Sequence, residues 1–151
     1  MAAYIHTAAG TKFSLSAALP ATLDAAGYAA LTYTEIGEVV TIPDFGGTTN
    51  VVNHSPLSNR YIQKFKGSIN AGSGAVECAS LSTDAGQVLL RAAAAPTAGN
   101  YSVKIEEADG AVSYFRAIFT SFSKKVGTID NVVMISSNME ITTPIVDVAA
   151  P

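Results

Sequence analysis

His6 and His54 are the only imidazoles in this 151-residue sequence, and each stands alone. No His-x-x-x-His, no Glu-x-x-His and no neighbouring cysteine accompanies either, so the spacing offers a metal ion no ligand set and no metal site is expected. Cys78 is the sole cysteine, which excludes an internal disulfide or a cysteine cage; it reads as a small buried hydrophobe. Serines are plentiful, yet Gly-x-Ser-x-Gly is absent and nothing aligns a histidine with a nucleophile. Glu106 and Glu107 are adjacent on a predicted strand, so their carboxylates point to opposite faces and cannot act as a paired acid and base. Gly46-Gly47 and Gly72-Ser73-Gly74 lack the continuation that cradles phosphate and read as turns. The expectation is a protein that is not an enzyme and uses no cofactor.

Charge narrows the partners. Nine Lys+Arg against twelve Asp+Glu give a net charge of −3, the wrong sign for gripping a phosphate backbone. Lys64 and Lys66 fall on one face of a strand and read as an exposed sheet face. Charged residues are only 14% of the chain while hydrophobic ones reach 48%, and mean hydropathy is +0.29, so apolar surface is in surplus over the usual ~25% charge. No apolar run approaches the ~18 residues of a bilayer span, and the N-terminus lacks the basic region and apolar core of a secretion signal. Burial in an oligomer is the expected sink. The length fits one domain over residues 1–151, with an arm at 1–10, a β core at 11–143 and a tail at 144–151.

Short runs rich in Val, Ile, Thr, Tyr and Phe, set between Gly, Pro, Ser and Asn clusters, predict a mainly β chain. Lys12 to Ser16 alternates as a first strand, and Pro20 and Thr22 open a helical turn through Asp24 to Leu31. Thr34 to Ile42 reads as one strand. Asn50 to Asn53 and Arg60 to Ile69 flank the exposed loop from His54 to Asn59, and Ala75 to Leu81 follows with Val76 and Cys78 on one face. Asp84 with Gln87 resembles a capping box, and Ala85, Val88, Leu89 and Ala92 recur at helical spacing, predicting the main helix over about 84–95. Tyr101 to Glu107, Asp109-Gly110 and Ala111 to Ser123 form a hairpin whose second arm has apolar residues on both faces and should be central. Asn131 to Thr143 predicts a long last strand, and the tail from Pro144 is expected to be mobile or ordered by another subunit.

The order of these elements resembles the tube-forming domain of the tail tube (major tail) proteins of lambda-type long-tailed bacteriophages. The stretches that carry the resemblance are Gly86-Gln87-Val88-Leu89-Leu90, Tyr101-Ser102-Val103-Lys104-Ile105, Asp109-Gly110 leading into Val112 through Phe115-Arg116, Ser121-Phe122-Ser123-Lys124-Lys125-Val126, and the final long strand. The likeness covers most of the chain and rests on order and spacing.

The resemblance implies a β-sandwich or barrel-like subunit with one main helix, assembling into hexameric rings with a continuous inner β-barrel. Stacked rings would form the hollow tube that conducts the double-stranded DNA genome, without specific DNA binding and without membrane insertion. Four strands from each of six subunits would close a barrel on the order of 45 Å across. It further implies a tape-measure protein, a tail terminator and distal tail or baseplate proteins as partners, with the virion tail, and the host cytoplasm during assembly, as locations. Glu38 and Glu140, on the polar faces of their strands, are the lumen-facing acidic candidates. The loop from His54 to Arg60 stands where the family has a longer, more acidic loop used in ring stacking, making Asn53, His54, Leu57 and Arg60 the contact candidates. Tyr4 and Ile5 in the arm, and Pro144 and Ile145 in the tail, are the remaining ones. The chain is also expected to lack the immunoglobulin-like C-terminal domain that some members carry. Two alternatives stand beside this reading: a tube protein of a contractile tail or secretion-system-like machine, and a monomeric β-sandwich that binds a small ligand.

Overall fold

Alternating apolar residues become strands in the computed structural model, which describes residues 4–151. In chain order these are β1 Lys12–Ser16, β2 Thr34–Glu35, β3 Val39–Thr41, β4 Thr48–His54, β5 Gln63–Asn70, β6 Ser73–Ala79, β7 Tyr101–Glu106, β8 Val112–Phe119, β9 Ser123–Lys125, β10 Met134–Ile141 and β11 Val146–Val148. Helix α1 spans Ala25–Ala29 and α2 spans Ala85–Ala93. The fold is mainly β with one main helix. Nine strands form one antiparallel sheet ordered β2-β1-β7-β8-β10-β6-β3, with β11 pairing β8 and β9 pairing β10, while β4 and β5 form a separate two-stranded sheet.

The stretch expected as one strand from Thr34 to Ile42 is broken at Ile36 to Glu38, where Glu38 takes a left-handed backbone (φ 59°). The break has a consequence for the whole sheet. Before it, β2 pairs with β1 at one edge, Ser14 opposite Glu35; after it, β3 pairs with β6 at the other edge, Val39 opposite Cys78. One kinked stretch therefore joins both edges and makes the sheet barrel-like. Side chains hold the kink in place. The Gly37 N–H donates to Asp84 Oδ2 at 3.1 Å, and the buried Gln87 amide donates to the Gly37 carbonyl at 3.1 Å and the Ala79 carbonyl at 2.8 Å.

Asp84 also caps α2 by accepting from the Gln87 N–H at 3.0 Å, but the reciprocal half of a capping box is missing. Gln87 Oε1 instead accepts from the Leu81 N–H at 2.8 Å. The buried stripe of α2 is likewise not the expected one. Gly86, Gln87, Leu90 and Ala93 face inward, and Val88, Ala85 and Ala92 are exposed. The reason is Gly86: a Cβ there would lie 2.1 Å from the Glu35 carbonyl oxygen, so only glycine lets the helix approach β2 this closely.

The core inside the sheet is built from Phe13, Leu15, Val76, Val103, Phe115 and Met139 with their neighbours, all essentially inaccessible. Cys78 lies among them, and burial, with the nearby Asp84 charge, pushes its thiol pKa up. Strand β8 is central, with β7 along one side from Val112 to Ala117 and β11 and then β10 in succession along the other. Its outer face is covered too, because Tyr28 of α1 stacks on Tyr114 at 5.4 Å between ring centroids.

The strand expected from Asn131 to Thr143 is shorter, Met134–Ile141; beyond it the Thr142 N–H still donates to the Arg116 carbonyl at 2.9 Å and the Arg116 N–H donates to Thr143 Oγ1 at 3.0 Å, before β11 resumes the ladder on β8. The tail is corrected as well: β11 pairs with β8 of its own subunit, Val146 opposite Tyr114 and Val148 opposite Val112. Alternation in β11, with Val146 and Val148 half-buried and Asp147 exposed, was the available signal.

Candidate functional site

Among the described residues no enclosed pocket gathers reactive groups, and the features that stand out are surfaces. Hairpin β4–β5 continues chain from β3 and into β6 yet leaves the nine-stranded sheet, extending roughly 25 Å. Its residues are almost all exposed. Val52 lies opposite Phe65, and Thr49 opposite Ile69; Val51, Val52, Phe65 and Ile69 are between 52% and 71% exposed. Lys64 and Lys66 stand opposite Asn53 and Val51, exposed as expected. An isolated two-stranded hairpin is marginal in water, and this one has no core of its own.

The contact candidates sit at the hairpin tip. Asn53 and His54 end β4, with His54 opposite Gln63, while Leu57 and Arg60 lie in the turn, Leu57 fully exposed at 108%. The Asn59 side chain fastens this turn by accepting from the Tyr61 N–H at 3.0 Å.

Glu140 is exposed on the outer face of β10, opposite Ser73 of β6 and Ile118 of β8. Ser136 and Asn138 share that face, and Ser136 is opposite Glu77 on β6. Glu77, also exposed, extends the acidic row, and its place between the buried Val76 and Cys78 of β6 was the signal in the sequence. Lys125, opposite Met134, closes one end of the row. Glu38 belongs elsewhere: it occupies the kink between β2 and β3, not the polar face of a long strand.

Pro144 and Ile145 line a groove of about 500 Å³ under the hairpin base, with Phe45, Ile69 and Thr142. Pro144 is exposed, whereas Ile145 packs against the core of its own subunit. In the arm, Tyr4 and Ile5 are exposed. His6 is not isolated, contrary to expectation. Its Nε2 lies 3.3 Å from Glu107 Oε2 and 3.6 Å from Asp109 Oδ1 at the β7–β8 turn, and its Nδ1 is 2.9 Å from the Thr7 carbonyl. The Thr7 carbonyl, with the Asp109 and Glu107 charges, raises the imidazole pKa against a lowering by desolvation.

No family model matches the sequence, and no curated protein matches it. Solved structures do match the architecture. A chain in the 6-fold symmetrised cryo-EM structure of the anti-feeding prophage baseplate agrees over 99% of this chain and 99% of its own, with a TM-score of 0.66 at 9% identity. The SPP1 tail tube, from solid-state NMR and cryo-EM, agrees over 91% of this chain and 75% of its own, with a TM-score of 0.60 at 14% identity.

The chain has the tail-tube fold. On that fold the sequence-derived residues separate into the hairpin tip, the outer face of β10, and the two chain ends. The ends converge on one turn: His6 reaches Glu107 and Asp109, and Pro151 lies 3.2 Å from where a Cβ on Gly110 would stand. Sequence reasoning missed the first convergence because His6 stands far from Glu107 and Asp109 along the chain.

Proposed function

We propose that this chain is a non-enzymatic structural subunit of a phage tail tube, folding as one domain, whose hexameric rings stack into a hollow tube that conducts double-stranded DNA during ejection. The observation that carries this reading is the agreement of nearly the whole chain with chains of two tail assemblies, one of them treated as 6-fold symmetric. The β4–β5 hairpin supports it independently, as an apolar ribbon without a core. In the assembly the hairpin, with Asn53, His54, Leu57 and Arg60 at its tip, packs on neighbouring subunits; Tyr4, Ile5 and Pro144 contribute at the chain ends.

The conducting role is electrostatic. Six subunits at −3 each give a ring of about −18, and an acidic wall repels phosphates where a basic one would bind them. The outer face with Glu77 and Glu140 is the best-formed candidate for that wall. The subunit acts in the virion tail after assembly in the host cytoplasm, with a tape-measure protein, a tail terminator and distal tail or baseplate proteins as partners. A second reading, the same fold in a contractile tail or secretion-system-like machine, draws on the 99% mutual coverage with the baseplate chain; a sheath protein encoded alongside would favour it.

Negative-stain electron microscopy with light scattering over a range of concentrations tests the proposal. Hollow rings or tubes of uniform width are the expected result. A monomer at every concentration that binds small apolar molecules in the groove beside Phe45 and Ile145 would overturn it in favour of a ligand-binding module.

A further inference from the structure

We propose that His6, Glu107 and Asp109 form a binding site for a divalent cation of the zinc class, which clips the N-terminal arm to the β7–β8 turn. The meeting of one imidazole with two carboxylates carries the inference. A backbone carbonyl can only accept, so the 2.9 Å contact from Nδ1 to the Thr7 carbonyl places the ring proton on Nδ1. Nε2, the other ring nitrogen, faces two carboxylate oxygens, 3.3 Å and 3.6 Å away. Two carboxylates call for a positive species there: a proton on Nε2, or, once Nε2 is deprotonated, a cation that all three atoms ligate.

Geometry and charge favour a metal ion in that place. One ligand atom from each residue lies within 4.8 Å of the other two, and the two measured separations bracket the ~3.3–3.4 Å between ligands of a tetrahedral ion with ~2.0–2.1 Å bonds. A divalent cation balances two carboxylates against a neutral imidazole, whereas a single proton leaves one negative charge. Among the described residues no lysine or arginine nitrogen comes within 4.0 Å of either carboxylate, and Lys104 is engaged by Glu106 at 3.6 Å. The ligands are also oriented from behind: the Thr7 carbonyl holds the His6 ring, and the Ala111 N–H donates to Asp109 Oδ1 at 2.9 Å. Three protein ligands leave one position for water.

Bound metal would fix the arm, and with it the exposed Tyr4 and Ile5, against the body of the subunit. The experiment is calorimetric titration of the metal-free full chain with Zn²⁺, repeated on His6→Ala, Glu107→Gln and His54→Ala, with circular dichroism on each as a check of folding. The expected result is one Zn²⁺ per chain for the native protein and His54→Ala, and affinity lower by at least ~10-fold in the other two. Backbone amide resonances of Thr7 and Ala111 should shift on adding Zn²⁺ to the native chain and to His54→Ala, and far less in the other two variants. Absence of saturable binding, equal binding by His6→Ala, or a His6 ring that stays protonated and metal-free in excess Zn²⁺ would each overturn the proposal.

Discussion

Strands β7 and β8 and strands β4 and β5 are both antiparallel hairpins of similar length, yet they differ in what surrounds their apolar residues. Val103, Ile105, Phe115 and Ala117 on the first pair are closed off by β1, β10 and α2. Val51, Val52, Phe65 and Ile69 on the second meet solvent. Nine of the fourteen residues of β7–β8 are apolar against four of the fifteen of β4–β5, and the environment of those residues differs as well. The first pair stabilises the subunit by itself, each buried large side chain contributing ~1.5–3 kcal/mol; the second has apolar area whose stabilising value is available only to an assembly.

That contrast can be tested from the inside outwards. Phe115→Ala should cost the isolated subunit about 3–5 kcal/mol in chemical denaturation, because it empties a fully buried site on the central strand. Gly86→Val should cost about 1–3 kcal/mol by driving α2 away from the Glu35 carbonyl. Asp84→Ala should cost about 1–2 kcal/mol, losing both the α2 cap and the bond that holds Gly37 at the kink. The double change Val52→Ser with Phe65→Ser should alter subunit stability by under ~0.5 kcal/mol while abolishing rings or tubes by electron microscopy. Equal losses of stability and assembly would erase the distinction between the two hairpins. Glu140→Lys should change subunit stability least and leave tube length unaltered, its effect falling on the rate of DNA ejection.

The sequence made the body of the fold legible where local pattern and tertiary environment agree. Lys12 to Ser16, Tyr101 to Glu106 and the Asp109-Gly110 reversal all lie where alternation and turn chemistry put them. It misled where a backbone contact decided the outcome: hydropathy favours Val88 facing inward, but Gly86 has to face the β2 backbone, and the helix turns accordingly. The kink at Ile36 to Glu38 was hidden for the same reason, since its cause is the pair of side chains at Asp84 and Gln87. Among candidate site residues, the exposure of Glu140 and Leu57 followed from period and from loop composition. The meeting of His6 with Glu107 and Asp109 depends on tertiary folding alone, for which a single sequence carries no spacing signal.

The register of β1 also sets a timetable. Phe13 is opposite Ile105, and Lys12 is opposite Glu106, so the first strand cannot find its long partner until β7 has been translated; only the two-residue β2, opposite Ser14 and Leu15, precedes it. At ribosomal speeds of 5–20 residues per second this separation is a wait of roughly 5–20 s. During that interval β1 has only the two-residue β2 to pair with, and non-local pairing of this kind folds slowly even once the partner exists. A nascent chain therefore passes through a period of dependence on chaperones, and synonymous codons that slow translation between β1 and β7 would lengthen it.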